Sequence, residues 1–269
     1  MKYSAQELVD ITGGKLLNPS YYPYQVSEIY FDTRRGVYGS KSLFLAIDGR
    51  NADGHQYIAS AYNQLGTRNF LVSQSIEPIS YPEANIIHVD NVVNALQRIA
   101  RYHRKRHSLK TIGITGSNGK TIVKEWIYQL CNGHYDIVRS PGSFNSQLGV
   151  PLSILKIEDD HELGVFEAGI SQKGDMDSLS QIIDPEIGIF TNIGEAHSAG
   201  FSSQSEKIQE KIQLFSQCKK VIYCIDHEQI HQHMHAVSAA KISWSTSLKQ
   251  AKYSVRFQEN SIVINDQLY

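Results

Sequence analysis

The chain has 269 residues and 41% hydrophobic content, enough to bury two cores of ordinary size and too apolar for a disordered chain. Its 26 Lys and Arg against 27 Asp and Glu leave a formal net charge of −1, which excludes a global attraction for nucleic acid or an anionic membrane and makes any anion site local. Cys131, Cys218 and Cys224 show no C-x-x-C spacing, the start is not signal-like and no apolar window spans a bilayer, so the sequence predicts a cytoplasmic protein without disulfides or membrane insertion.

Ser4 and Glu7 form a capping box ahead of Leu8 and Ile11, and Gly13-Gly14 stops that helix. Short apolar runs follow, among them Ser42–Ile47 and Asn69–Val72, with a helix expected over Tyr57–Leu65. Pro78 and Pro82 lie in a stretch without periodicity, so the expected domains are 1–84 and 85–269. Val92, Val93, Leu96, Ile99, Ala100 and His103 then recur at helical spacing behind Asp90 and Asn91. The basic end of that helix, Arg101, Arg104, Lys105 and Arg106, reads as a solvated last turn favoured by the helix dipole.

Beyond it, strand patterns at Thr111–Thr115, Gly164–Ala168, Ile187–Thr191 and Val221–Ile225 alternate with helical ones at Lys120–Cys131, Met176–Ile183 and Glu206–Phe215. Such alternation implies an α/β fold with a mostly parallel sheet. Tyr253–Ile264 alternates like strands that end this domain or extend from it as a hairpin. His227, His231, His233 and His235 lack a carboxylate partner and read as a solvent-facing helix, although His227 and His231 have metal-ligand spacing.

The chemical signal is Gly113-Ile114-Thr115-Gly116-Ser117-Asn118-Gly119-Lys120-Thr121, between a strand and an amphipathic helix. A glycine-rich turn lets the backbone N–H groups of Gly116, Ser117, Asn118 and Gly119 surround phosphate oxygens, the helix N-terminus adds its dipole, Lys120 neutralises charge and the Thr121 hydroxyl can reach Mg²⁺. The loop departs from G-x-x-x-x-G-K-[ST] because Ile114 stands where the first glycine belongs. Nucleotide binding is the reading.

Three further segments join it: Ser143-Phe144-Asn145-Ser146-Gln147-Leu148-Gly149-Val150-Pro151, Phe166-Glu167-Ala168-Gly169-Ile170-Ser171, and Thr191-Asn192-Ile193-Gly194-Glu195-Ala196-His197. In order and spacing, the four resemble the central ATPase domain of the Mur ligase superfamily. Glu167–Ser171 followed by Gly174-Asp175-Met176 is most similar to the branch that adds D-alanyl-D-alanine to UDP-N-acetylmuramoyl-tripeptide. Asp32-Thr33-Arg34 and Ser42-Leu43-Phe44 resemble its N-terminal UDP-binding domain, with Arg34 or its neighbour Arg35 able to meet a diphosphate.

The resemblance implies a small N-terminal α/β UDP-binding domain, a P-loop NTPase-like central domain, and a C-terminal Rossmann-like domain that this chain lacks. It implies ATP and Mg²⁺ as cofactors and amide formation through an acyl phosphate, where positioning and charge neutralisation do most of the catalysis. Lys120 is expected on the β/γ-phosphates, Thr121, Glu167 and His197 on metal, and Asn145 on the substrate carboxylate or γ-phosphate. Lys211 matches the family's carbamylated lysine, with Lys207 one turn earlier as competitor; Asp32, Thr33, Arg34, Ser42 and Phe44 would serve the UDP-sugar. Domain closure in cis completes such a site, so the fragment is expected to be inactive alone. Gly142–Pro151 also resembles versions fused to an alanine racemase. The competing readings are another ligase of the superfamily, diamino-acid-adding or folylpolyglutamate-type, and a catalytically silent nucleotide-binding module.

Overall fold

The computed structural model describes residues 1–18, 24–34, 38–49, 51–194, 200–247, 250–258 and 261–268. The chain forms two compact units, Met1–Lys105 and Arg106–Tyr269. The expected division at 84/85 falls too early, because Asn85–His88 is an interior strand of the first unit's sheet.

In the first unit, α1 (Ala5–Thr12) opens with the expected capping box: Ser4 Oγ accepts from the Glu7 N–H at 3.2 Å and Glu7 Oε2 from the Ser4 N–H at 2.7 Å. Then come β1 (Lys15–Asn18), β2 (Glu28–Tyr30), β3 (Ser42–Leu45), α2 (Ile58–Asn63, inside the expected Tyr57–Leu65), β4 (Asn69–Val72), β5 (Asn85–His88) and α3 (Val92–Arg106). The sheet order is β1-β5-β4-β3-β2, parallel except for β1. All four residues of both β3 and β4 are buried, as parallel strands covered on two faces require. Phe44, Phe70, Ile58 and Ile86 meet in the core. Asn91 caps α3 by accepting the Asn94 N–H at 2.9 Å, and Arg98 Nη1 donates to Thr12 O at 2.6 Å. One departure from the expected solvated turn is Arg104, which is buried.

The second unit runs β6 (Lys110–Thr115), α4 (Lys120–Cys131), β7 (Ile137–Arg139), α5 (Gly149–Ile154), β8 (Leu163–Glu167), α6 (Asp175–Ile183), β9 (Ile187–Phe190), α7 (Gln204–Ile212), β10 (Lys220–Cys224), α8 (Glu228–Met234), β11 (Ala240–Ser245), β12 (Tyr253–Gln258), β13 (Ser261–Ile264) and β14 (Gln267–Leu268). Its sheet order is β14-β13-β12-β11-β10-β9-β6-β8-β7. The strands from β7 to β12 are parallel, while β13 and β14 fold back antiparallel, so the C-terminal strands extend the same sheet as a meander. On the α4 side, Ile114, Leu163 and Val165 pack with Val123 and Ile127.

β6 lies between β8 and β9, with Ile114 opposite Glu167 and Thr115 opposite Phe190. The loops leaving β6, β8 and β9 therefore emerge side by side at the carboxyl ends of the strands, where α/β sheets place their ligands. Among the described residues no helix is long and apolar enough to cross a membrane.

Candidate functional site

The loop between β6 and α4 is shaped by close approach. Gly116 has φ 144°, and a Cβ there would lie 1.9 Å from Thr191 Oγ1, so no side chain fits. The loop after β9 braces it: the Ser117 N–H donates to Asn192 O at 2.8 Å, the Asn118 N–H to Asn192 Oδ1 at 3.0 Å, and Thr191 Oγ1 to Asn118 O at 2.6 Å. Two of the amides expected to face phosphate are thus turned toward Asn192. The N–H groups of the first turn of α4, which begins at Lys120 behind Gly119, have no acceptor within the helix.

Lys120 Nζ folds back on its own loop, donating to Gly116 O at 2.9 Å and Ser117 O at 3.3 Å. Burial holds its pKa below the ordinary lysine range, Glu167 works against that, and Lys207 adds to it. Lys211, buried on α7, donates to the same Gly116 O at 3.0 Å. Burial first, then Lys120 and Lys207, pull its pKa down to about 7. Lys207, itself buried, is close enough to press on both, while Lys120 and Lys211 share the Gly116 carbonyl.

Facing them, Glu167 ends β8 fully buried. Thr121 Oγ1 donates to Glu167 Oε2 at 3.1 Å. Glu167 Oε1 lies 3.0 Å from Lys124 Nζ, an ion pair whose angles are not those of a hydrogen bond, so among the described residues this oxygen keeps no hydrogen-bond partner; Ser117 Oγ is likewise buried without one. A hydroxyl and a buried carboxylate with an unused lone pair form the hard-oxygen donor set that fits Mg²⁺.

Asn145 sits beside this strand end. Its carbonyl accepts the Gly169 N–H at 2.7 Å, and a Cβ on Gly169 would stand 2.9 Å from Asn145 Oδ1, so only glycine lets the two segments touch. The structure thus brings together Lys120, Thr121, Asn145, Glu167 and Lys211 with Gly116–Gly119; His197 lies outside the described residues.

Sequence reasoning missed Lys124, buried one turn beyond Lys120 and bonded to Ser140 O at 2.7 Å and to Gly142 O. The available signal was a lysine four residues after Lys120, on the face α4 turns inward. It also missed the bracing by Thr191 and Asn192, and Glu210, which is buried and accepts the N–H groups of Gly174 (3.0 Å) and Met176 (2.8 Å) at the start of α6. Of the histidine cluster, His231 Nδ1 lies 3.0 Å from the Tyr223 hydroxyl and His233 Nε2 2.9 Å from Ser205 Oγ; among the described residues no three or more His, Cys, Asp or Glu side chains converge as a metal-binding group.

In the first unit, Arg34 pairs with Asp32 through Nε–Oδ1 and Nη2–Oδ2 contacts of 2.9 Å each, 84% exposed, in a turn that includes Thr33. Asp32 holds the guanidinium's pKa above its ordinary value. Ser42 and Phe44 lie elsewhere: Phe44 is wholly enclosed in the core, and the Ser42 hydroxyl, also buried, donates to Glu28 Oε2 at 3.3 Å. Neither offers a face to a ligand, because alternate-face exposure is lost once β3 is covered on both sides. Arg35 is outside the described residues.

Residues 114–266 match the family model of the Mur ligase middle domain. The chain is 30% identical over 239 residues, 88% of its length and 51% of the relative's, to UDP-N-acetylmuramoyl-tripeptide--D-alanyl-D-alanine ligase of Bacillus subtilis. It is 37% identical over 197 residues, 68% of this chain and 42% of the relative, to the protein of the same name from Borreliella burgdorferi. A crystal structure of MurF from Acinetobacter baumannii superimposes with a TM-score of 0.87 at 23% identity, covering 100% of this chain and 58% of that one. The chain therefore spans about half the length of the curated relatives it matches. With the glycine turn, the buried strand-end glutamate and the lysine from α7 in one place, and a family model matched over more than half of the sequence, the chain belongs to the Mur ligase family.

Proposed function

We propose that this chain is the nucleotide- and UDP-sugar-binding portion of an ATP-dependent ligase that joins D-alanyl-D-alanine to UDP-N-acetylmuramoyl-tripeptide through an acyl phosphate. The observation that carries this reading is the convergence of Lys120 and Lys211 on the Gly116 carbonyl, opposite the Thr121–Glu167 pair. Buried lysines that repel one another are stabilised by an anion, and a polyphosphate is the anion that a glycine turn before a helix suits. The names of the relatives from Bacillus subtilis and Borreliella burgdorferi support the same substrates. Because the chain spans about half of those relatives, the reaction is assigned to the whole protein.

Lys120 exchanges its bonds to Gly116 O and Ser117 O for β/γ-phosphate oxygens, turning two neutral acceptors into charged ones. A divalent cation, when bound, neutralises charge on the transferring phosphoryl group, and Thr121 Oγ1 and Glu167 would hold it. Asn145, fixed against Gly169, can donate its side-chain amide to the substrate carboxylate or the γ-phosphate. With its pKa pulled down to about 7, Lys211 holds a substantial share of free amine near neutral pH, the form that adds carbon dioxide; the carbamate so formed, with one proton released, is an oxygen ligand in place of a cation. His197 completes the proposed metal ligands. The exposed Arg34 is the group we assign to the diphosphate of the UDP-sugar, with Asp32 setting its orientation.

Calorimetric titration of the chain with ADP and Mg²⁺, and separately with UDP-N-acetylmuramoyl-tripeptide, tests this reading. Binding of both is expected, with ADP binding weakened roughly tenfold to hundredfold on Lys120→Ala. Failure of the unmodified chain to bind ADP would overturn it.

A further inference from the structure

Lys124 has no place in the machinery above, yet its ammonium is fully buried and joins three segments. It belongs to α4, the helix that carries Lys120 and Thr121. It donates to Ser140 O at 2.7 Å and to Gly142 O, in the stretch that leads to Asn145. It stands 3.0 Å from Glu167 Oε1, both side chains having no solvent exposure, and 3.2 Å from Glu125 Oε1, which Arg139 Nε engages from the other side at 3.1 Å.

We propose that Lys124 is a positioning residue: it aims the Glu167 carboxylate and fixes the Ser140–Asn145 backbone beside it, so that both stand in register with Lys120 and Thr121. This inference rests on reading Glu167 as a metal ligand. Two carbonyls take two of the three N–H donors, which pins the ammonium; its charge then draws Oε1 and leaves Oε2 turned to Thr121 Oγ1. Without Lys124, Glu167 is a buried carboxylate with no fixed counter-charge, and the next cation that feels it is Lys120. A carboxylate that swings toward Lys120 leaves the metal position and occupies the lysine intended for phosphate. Partners that orient a ligating group from behind in this way typically matter about 10- to 100-fold in metal affinity.

The test is ADP affinity of the 269-residue chain, measured by calorimetry in EDTA and again in Mn²⁺, for the unmodified chain and Lys124→Met. The ratio of the two affinities reads how much the metal adds. We expect Lys124→Met to lose about tenfold or more of that enhancement. An enhancement equal to or larger than that of the unmodified chain overturns the proposal, since a purely structural lysine shifts the melting midpoint but not the ratio. If Lys124→Met does not fold, Lys124→Gln, whose amide still donates to the two carbonyls, supports the same comparison. Should the unmodified chain bind ADP with no enhancement by Mn²⁺, the metal reading of Glu167 fails and this inference falls with it; an enhancement that survives the substitution overturns the inference alone.

Discussion

Lys211 Nζ donates to the carbonyl oxygen of Gly116 at 3.0 Å, reaching it from a helix 95 residues further along the chain. The same oxygen accepts Lys120 Nζ at 2.9 Å, so one peptide group holds two cations from distant segments. This arrangement makes the turn a composite of α4 and α7, and several outcomes depend on it.

Replacing Lys120 with alanine removes the cation expected on phosphate and leaves Gly116 O bonded to Lys211. ADP affinity should fall roughly tenfold to hundredfold, the range for losing a charged hydrogen bond, while far-ultraviolet circular dichroism stays unchanged. Calorimetry with both proteins at one salt concentration checks it.

Stability should rise with pH through the Lys211 ionisation. Its pKa is about 7 when folded, against 10.5 as the ordinary value, so between these limits the unfolded chain binds more protons than the folded one. The penalty of burying the ammonium is complete below about pH 7 and fades as pH climbs toward 10.5. Melting midpoints of the chain should therefore increase from pH 7 to 9, and Lys211→Met should flatten that increase; an equal slope in both proteins would sink the assignment.

Gly116→Ala forces a Cβ to 1.9 Å from Thr191 Oγ1 in a backbone region that side chains avoid. Strain alone should cost roughly 1–3 kcal/mol. Urea denaturation should show it, along with weakened ADP binding, because relief requires Thr191 and Asn192 to release the loop.

Glu210→Ala leaves the Gly174 and Met176 N–H groups, both bonded to Glu210 Oε1, without their acceptor at the start of α6. Met176 is buried while Gly174 is exposed and can turn to water, so one buried unpaired donor sets the cost and a loss of about 1–3 kcal/mol in urea denaturation is expected. Amide exchange should quicken at Met176 before it does in β6.

Much of the site was legible because its chemistry is local. The glycine turn, Lys120 and Thr121 occupy consecutive positions, and the strand-helix alternation places Glu167 at a carboxyl end next to them. Lys211 was legible only through family resemblance, since a lysine on an amphipathic helix carries no sign of burial. Lys124 carried one faint signal, its place one turn after Lys120, and Glu210 none: each is a charged residue inside a helical pattern, which ordinarily means solvent. The domain boundary slipped because Asn85–His88 is a four-residue run directly after an aperiodic, proline-containing stretch, and its pairing with both β1 and β4 is a tertiary fact. Phe44 failed as a ligand contact for the same reason, since the motif shows a residue's place in sequence but not which face of β3 is covered.

The outermost strand beside β8, β7, is only three residues long, and its last residue is clamped: Arg139 Nε meets Glu125 Oε2 at 3.1 Å while the guanidinium lies 3.4 Å above the Tyr128 ring. A border this brief, ending in a tethered cation, presents few free peptide groups to a strand from another molecule. The margin of the sheet nearest the reactive groups is thereby guarded against lateral growth into aggregates.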